Sequence, residues 1–458
     1  MSKSIKLNKG FTINLAGKAE KKIGNAGQAK TYAIKPTDFP AMERPKVLLK
    51  EGEKVKAGTP IMVDKKVPDV QYASPVSGEI VEIKRGDKRK LLEIIIKADG
   101  EMSYEEFPKY SVSDIANLKP AEIKDIMLKG GVWPNIIQRP FAVVANPEDT
   151  PKAIFISAFD SSPLAPDYDF IFKEQGRHFE LGVEILSKLT SGPVHVNIDG
   201  QAEVSQLFIA PKSITVNKFS GKHPVGNVGV QIHHLDPINK GEVAWTINPF
   251  GVIQLGKLFA EGVYDASKII AVAGSEVKAP QYYKTYTGAC VEGFLENNLN
   301  SDHVRVISGN VLSGEKIDTD GYIGFYDHLL SVIPEGDKPR FIFGGGWLSP
   351  IKNRLSMHRA IGLLSFMNSS SKEYKLDSSL NGEERAFVVS GSFEKVVPMD
   401  ILPTHLIKAI MAEDYDEMEA LGIYEVAEED LALCEFVDVS KHEVQKIVRQ
   451  GIELMREV

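Results

Sequence analysis

Three glycines constrain this chain more than any other residues. Gly52 and Gly58 punctuate Lys50-Glu51-Gly52-Glu53-Lys54-Val55-Lys56-Ala57-Gly58-Thr59-Pro60-Ile61, and Gly78 follows in Ala73-Ser74-Pro75-Val76-Ser77-Gly78-Glu79-Ile80-Val81-Glu82-Ile83. Each stands where a tight turn calls for positive φ, a region that glycine enters without steric cost. An apolar strand enters, turns at a glycine, passes Val55, turns again and leaves as another strand. The span from about Ile34 to Ile96 is therefore expected to be a compact arrangement of short strands.

The order Glu-Gly-x-x-Val-x-x-Gly followed by Pro-x-x-Gly-x-Ile resembles the barrel-sandwich domains that carry lipoyl or biotinyl groups. A swinging arm would require a lysine, and Lys65 and Lys66 are the candidates. The biotin-type Met-Lys-Met context is absent, and the spacing from Lys66 to Pro75 misses the usual lipoyl hairpin. The module is read as a scaffold, because fold alone does not carry function. Ahead of it, Ile5, Leu7, Phe11, Ile13 and Leu15 alternate around Asn8-Lys9-Gly10, the pattern of a β-hairpin.

Beyond Asp99-Gly100 the periodicity becomes helical. Val112–Leu128 reads as one or two helices and 169–189 as one long amphipathic helix with a stripe at Phe170, Phe179, Val183, Leu186 and Leu189. Ala153–Ala158, Val194–Ile198 and Ile214–Phe219 read as buried strands, so a parallel α/β sheet, Rossmann-like in class, is expected. No GxGxxG opens the helix after Ala158, and the usual dinucleotide site is not supported. From Ile269 to about Gly324, short strands and glycine turns around one helix suggest a β-grasp domain of the SLBB type. The remainder, from Leu348, reads as mainly helical. The expected division is 1–100 (hairpin and barrel sandwich), 101–257 (Rossmann-like), 258–330 (β-grasp) and 331–458 (helical), an α/β and α+β multidomain chain.

A net charge of -8 argues against nucleic-acid binding. The apolar runs 141–146 and 252–258 end at charges, far short of the roughly 18 residues that a spanning helix needs. Lys3, Lys6 and Lys9 are followed by no apolar h-region, so a secretory leader is not expected. Cys290 and Cys434 cannot form a disulfide framework or a four-cysteine iron–sulfur site, and a reducing compartment is the default. Between Lys408 and Lys441 lie many acidic residues and no Lys or Arg; such a run is a solvated face or a docking surface for a basic partner.

Three pieces carry a more specific resemblance: Lys129-Gly130-Gly131-Val132-Trp133-Pro134; Ala158-Phe159-Asp160-Ser161-Ser162-Pro163-Leu164-Ala165-Pro166-Asp167; and Phe219-Ser220-Gly221-Lys222-His223-Pro224-Val225-Gly226-Asn227, which continues through Gly229 to His233-His234-Leu235-Asp236-Pro237. With the barrel-sandwich start, Ala289 to Asn298 and Leu431-Ala432-Leu433-Cys434, they make the whole chain resemble the NqrA family of the Na+-translocating NADH:quinone oxidoreductase. That family is related to the Rnf complex C subunit and to the flavin-binding subunit of respiratory complex I.

The resemblance implies a peripheral subunit on the cytoplasmic face of the bacterial inner membrane, partnered by the membrane subunits of the same complex, Nqr B to F. It implies quinone as ligand, no tightly bound cofactor, and NADH, flavins and the iron–sulfur centre in partner subunits. Gly130-Gly131 and Trp133-Pro134 look like the remains of a flavin-phosphate loop, in which glycine amides beside a helix N-terminus would hold phosphate. Cys434, with only Asp438 four positions on, does not match the cysteine clusters of the Rnf relative. The candidate quinone or vestigial flavin pocket is Gly130, Gly131, Trp133, Phe159, Asp160, Asp167, His223, His233 and His234. Phe159 and Trp133 would cover a ring, and histidines near their working pKa would donate or relay protons. The bland readings stay beside these: Asp160 and Asp167 suit caps of the helix that follows, and of two adjacent histidines on a strand one faces inward. A docking subunit with no redox ligand of its own is the competing expectation.

Overall fold

The computed structural model describes residues 2–203, 205–337 and 372–457. The part of the expected C-terminal helical region between 338 and 371 lies outside the described residues. The N-terminal segment does not form the expected hairpin. β1 (Ser4–Lys6) and β2 (Glu20–Gly24) leave in different directions and join two different sheets. Leu7 N–H donates to Ser220 O, Phe11 N–H to His223 O and Gly10 N–H to Lys395 O, so the alternation reflects contacts with two distant segments, 220–223 and the one around Lys395.

The barrel sandwich stacks two small sheets. β3 (Thr31–Ile34), β9 (Leu91–Ala98), β8 (Gly78–Arg85) and β5 (Lys54–Val55) form one; β4 (Pro45–Val47), β6 (Pro60–Asp64) and β7 (Val67–Ala73) form the other. Gly52 and Gly58 have φ of 85° and 98°, as the turns demand. Gly78 does not adopt positive φ; a Cβ there would strike Lys97 O across the β8–β9 pair, so close strand approach is what requires glycine. Lys65 and Lys66 form the β6–β7 turn, and Lys66 Nζ is paired with Glu43 at 2.6 Å.

Next come α1 (Val112–Asn117), capped by Ser111, and α2 (Pro120–Lys129). The sheet that follows contains β10 (Ile137–Arg139), β11 (Val143–Val144), β12 (Ile154–Ser157), β13 (Val194–Asp199), β14 (Ile214–Ser220) and β15 (Ala244–Thr246), in the order β1-β14-β13-β12-β15-β10-β11. From β1 to β15 the pairings are parallel. The helix expected over 169–189 is two: α3 (Tyr168–Phe172) and α4 (Gly176–Ser187). The chain turns between them, where Gln175 N–H donates to Phe172 O at 2.8 Å. The apolar stripe continues through the break, so periodicity alone does not report it. α5 (Gln206–Ile209), α6 (Val228–Leu235) and α7 (Pro249–Glu261) complete the domain.

β16 (Ser267–Ala273), β17 (Gln281–Tyr286), α8 (Glu292–Leu295), β18 (Val304–Ser308), β19 (Glu315–Ile317) and β20 (Leu329–Pro334) build a mixed sheet, and β2 completes its edge beside β17. The barrel sandwich docks on this sheet: Asp38 accepts Phe325 N–H at 2.9 Å and Lys35 Nζ reaches Glu315 at 3.0 Å. Of the described C-terminal part, 372–391 hold no helix, and the expected helical character begins at α9 (Phe393–Val396), followed by α10 (Pro403–Met411), α11 (Tyr415–Ala420), α12 (Ala432–Val437) and α13 (Val444–Glu457). Among the described residues no helix is long and apolar enough to cross a membrane.

Candidate functional site at a sheet reversal

The chain lays down β12, moves outward to β13 and β14, then returns to place β15 on the other side of β12. In open parallel sheets, the crevice outside the C-terminal ends of the strands at such a reversal is where ligands bind. The loop 158–167 leaves β12 at this point, and the loop 221–227 leaves β14 nearby. Two of the three pieces singled out in the sequence are these loops.

Ser161 joins them. Its Oγ lies 3.0 Å from His223 Nδ1 and accepts Gly226 N–H at 2.8 Å. Any side chain at Gly226 would press on Ser161, a Cβ meeting its backbone N at 2.7 Å. Burial pushes His223 down to about 4, with the Ser161 contact opposing, so the imidazole is neutral at physiological pH. Beside it, Asp160 Oδ1 accepts Ser162 N–H at 2.7 Å. Burial raises the Asp160 carboxyl above the usual range despite that bond. Phe159 is half-buried next to it.

A buried ladder of polar side chains supports the two loops from behind. Asn217 Nδ2 donates to Asn197 Oδ1 (3.0 Å), Asn197 Nδ2 to Gln231 Oε1 (2.9 Å), Gln231 Nε2 to Ser157 Oγ (2.9 Å), and Ser157 Oγ to Gly226 O (2.8 Å). Each buried amide finds a partner, as desolvated polar groups must. The sequence offers no sign of this ladder, because no single residue in it looks chemical.

The other expected site residues go elsewhere. Gly130 and Gly131 end α2; the Gly130 N–H donates to Ile126 O (2.8 Å) and the Gly131 N–H to Leu128 O (3.3 Å). These amides are spent at a helix C-terminus, where the dipole repels anions, so the pair does not fit a phosphate cradle. Gly131, at φ 71°, instead lets Ala73 of the barrel sandwich pack close, 2.6 Å from where a Cβ would stand. Trp133 is fully buried, donates Nε1–H to Ala145 O at 2.7 Å and lies edge-on to Trp245 at 5.5 Å; it is a core residue. Asp167 caps α3 by accepting Phe170 N–H at 2.9 Å, and Lys21 Nζ pairs with it at 2.5 Å. Burial raises its carboxyl, but Lys21 and that amide outweigh burial and leave it lowered.

His233 and His234 lie in the last turn of α6, not on a strand, so the in–out alternation does not apply. His233 Nδ1 is 2.6 Å from Glu425, and its Nε2 accepts Asp400 N–H at 2.9 Å; His234 Nε2 donates to Pro398 O at 2.8 Å. Burial lowers His234, and the neighbouring His233 adds to that. Both rings pin the C-terminal helices onto the α/β domain.

Arg139, unremarked in the sequence, strengthens that junction. It is buried, with Nη2 at 2.7 Å from Glu429 and Nη1 at 3.3 Å from Asp430. Burial raises Asp430 while Arg139 pulls it down. The available signal was charge beside apolar residues: Arg139 comes two positions after Ile136-Ile137, and Glu428-Glu429-Asp430 stands between Val426-Ala427 and Leu431-Ala432-Leu433.

Profiles of three families match the chain: "NqrA N-terminal barrel-sandwich hybrid domain" over residues 5–99, "NqrA second alpha/beta domain" over 118–264 and "NQRA C-terminal domain" over 269–319. NqrA subunits of Na(+)-translocating NADH-quinone reductases are similar throughout. The one from Marinomonas sp. (strain MWYL1) is 34% identical over 98% of this chain and 99% of its own. Those from Serratia proteamaculans (strain 568) and Neisseria meningitidis serogroup B are 37% and 36% identical, over 97% and 98% of this chain and 98% of each relative. Fold and crevice thus define a multidomain α/β protein in which a barrel sandwich, a parallel-sheet domain and a mixed-sheet domain follow one another. The chain belongs to the NqrA family of the Na+-translocating NADH-quinone reductase.

Proposed function

We propose that this chain is the peripheral NqrA subunit of a sodium-pumping NADH:quinone reductase, seated on the cytoplasmic face of the inner membrane against the membrane subunits Nqr B to F. NADH oxidation, flavins, the iron–sulfur centre and Na+ movement then belong to those partners. The observation that carries the reading is 34% to 37% identity over nearly the full length of both chains. Within it, the Rossmann-like domain extends through α7 to Glu261 rather than ending at 257, the SLBB-type β-grasp domain extends through β20 to Pro334 rather than ending at 330, and the described helices of the C-terminal region begin at Phe393.

The quinone contact is narrower than the sequence suggests. Phe159 and Asp160 sit at the sheet reversal, where an aromatic face and a carboxyl suit a ring that takes up protons on reduction. His223 positions Ser161 and Gly226 rather than carrying charge. Fluorescence titration of the purified chain with a short-chain quinone should saturate, and Asp160→Asn should weaken binding about tenfold, or ~1.4 kcal/mol. Absence of saturable binding, with normal assembly of the complex, overturns the quinone contact. The second reading, a docking subunit without a redox ligand, is favoured by the engagement of His233, His234 and Arg139 with the C-terminal region.

A further inference from the structure

α10 and α13 cross closely at Gly451, where a Cβ would stand 2.7 Å from the Ile410 side chain. Beside the crossing lies a groove of about 400 Å³. On α13, Ile447, Gln450, Leu454 and Glu457 line it, one stripe at helical spacing next to the buried stripe of Val444, Val448 and Ile452. Ile410 and Met411 close it from α10, and Met411 is 51% exposed. The groove's lining is half apolar (Ile410, Met411, Ile447 and Leu454) and half polar, with an exposed methionine lip, a combination that suits an amphipathic helix rather than a wholly apolar ligand.

The rim gives the sign of the partner. Glu413, Glu453 and Glu457 line the groove, and among the described residues no ion pair engages them. The basic neighbours are occupied: Lys446 with Glu443 and Arg456 with Glu43, each at 2.8 Å. On α10 the cation is Lys408, three residues before Met411. The adjoining exposed stretch adds Asp414, Asp416 and Glu417. Such a rim attracts a cationic segment and repels an anionic lipid surface.

We infer that the α10–α13 groove is a docking site for a short, basic amphipathic helix of a partner protein chain. Its apolar side chains enter between Met411 and Leu454 while lysines or arginines face Glu413, Glu453 and Glu457. The inference is independent of the quinone contact, because the groove shares no residue with the sheet reversal.

The test uses the purified full chain and a fluorescent Leu/Lys peptide designed as an amphipathic helix, with a scrambled peptide of the same composition. Anisotropy should show the helix binding at least tenfold tighter than the scrambled peptide. The double reversal Glu413→Lys, Glu453→Lys should weaken it tenfold or more, and Met411→Ser several-fold. The double control Asp99→Lys, Glu101→Lys, the same charge change on a remote exposed turn, should leave it unchanged. Equal affinity for both peptides overturns the inference, as does a reversal effect no larger than that of the charge-matched double control. Displacement of the peptide by anionic phospholipid vesicles would assign the face to a membrane and overturn it as well.

Discussion

His223 is a buried neutral imidazole, and that state has a consequence for pH. Its folded pKa is about 4, against about 6.5 in an unfolded chain. Below 6.5 the unfolded chain takes up a proton that the folded ring refuses. Stability contributed by this residue is therefore complete above pH 6.5 and is lost as pH falls toward 4. The stability advantage of the native chain over His223→Asn should shrink by about 3 kcal/mol between pH 7 and pH 4. Urea denaturation of both proteins across that range measures it, and parallel curves would refute it. At Arg139 the expected effect is larger in kind: Arg139→Met strands the buried Asp430 carboxylate and should cost about 3–5 kcal/mol in the same assay at pH 7. Asp430→Asn in that background should recover part of the loss.

α4 and α7 pack through reciprocal glycines. A Cβ on Gly182 of α4 would strike Val252 O of α7, and one on Gly256 of α7 would strike His178 O of α4. Because backbone carbonyls cannot swing aside, Gly182→Ala should destabilise by about 1–3 kcal/mol, seen as a lower thermal midpoint. Gly100→Ala, with nothing near it, should leave the midpoint unchanged. The hydrophobic stripe on α4 was legible, since core-facing periodicity is written in Phe179, Val183 and Leu186. The break before Gly176 was not, because a turn stabilised by one backbone bond leaves that stripe intact. α6 illustrates the opposite gap. Gly229, Val230 and Ile232 read as strand or turn residues by propensity, yet the packing of buried Val230 and Ile232 makes them helical, without a side-chain cap from Asn227.

Across the whole molecule, the first two strands hold two domains. β1 pairs with β14, Ser4 opposite Lys218, and β2 closes the mixed sheet beside β17. Deleting residues 2–24 should uncover an edge of each sheet and lower the stability of both domains. Limited proteolysis should then cut within 214–220 and 281–286 far faster than in the native chain; unchanged cleavage there would count against this role.

The sequence by itself determined the barrel-sandwich turns through Gly52 and Gly58, the buried parallel strands, the absence of long apolar runs and the family. These are written locally, in turn chemistry, periodicity and contiguous motifs. Tertiary structure alone decided which chemical groups meet. Trp133 became core, and the glycine pair became a helix end packed on Ala73. His233 and His234 became clasps for the C-terminal helices, while Asp160, Ser161 and His223 were brought together at the sheet reversal. Sequence reasoning could not reach these outcomes, because partners such as Ser161 and Gly226 or Arg139 and Asp430 are far apart in the chain. Their protonation also depends on burial, a property that exists only once the chain has folded.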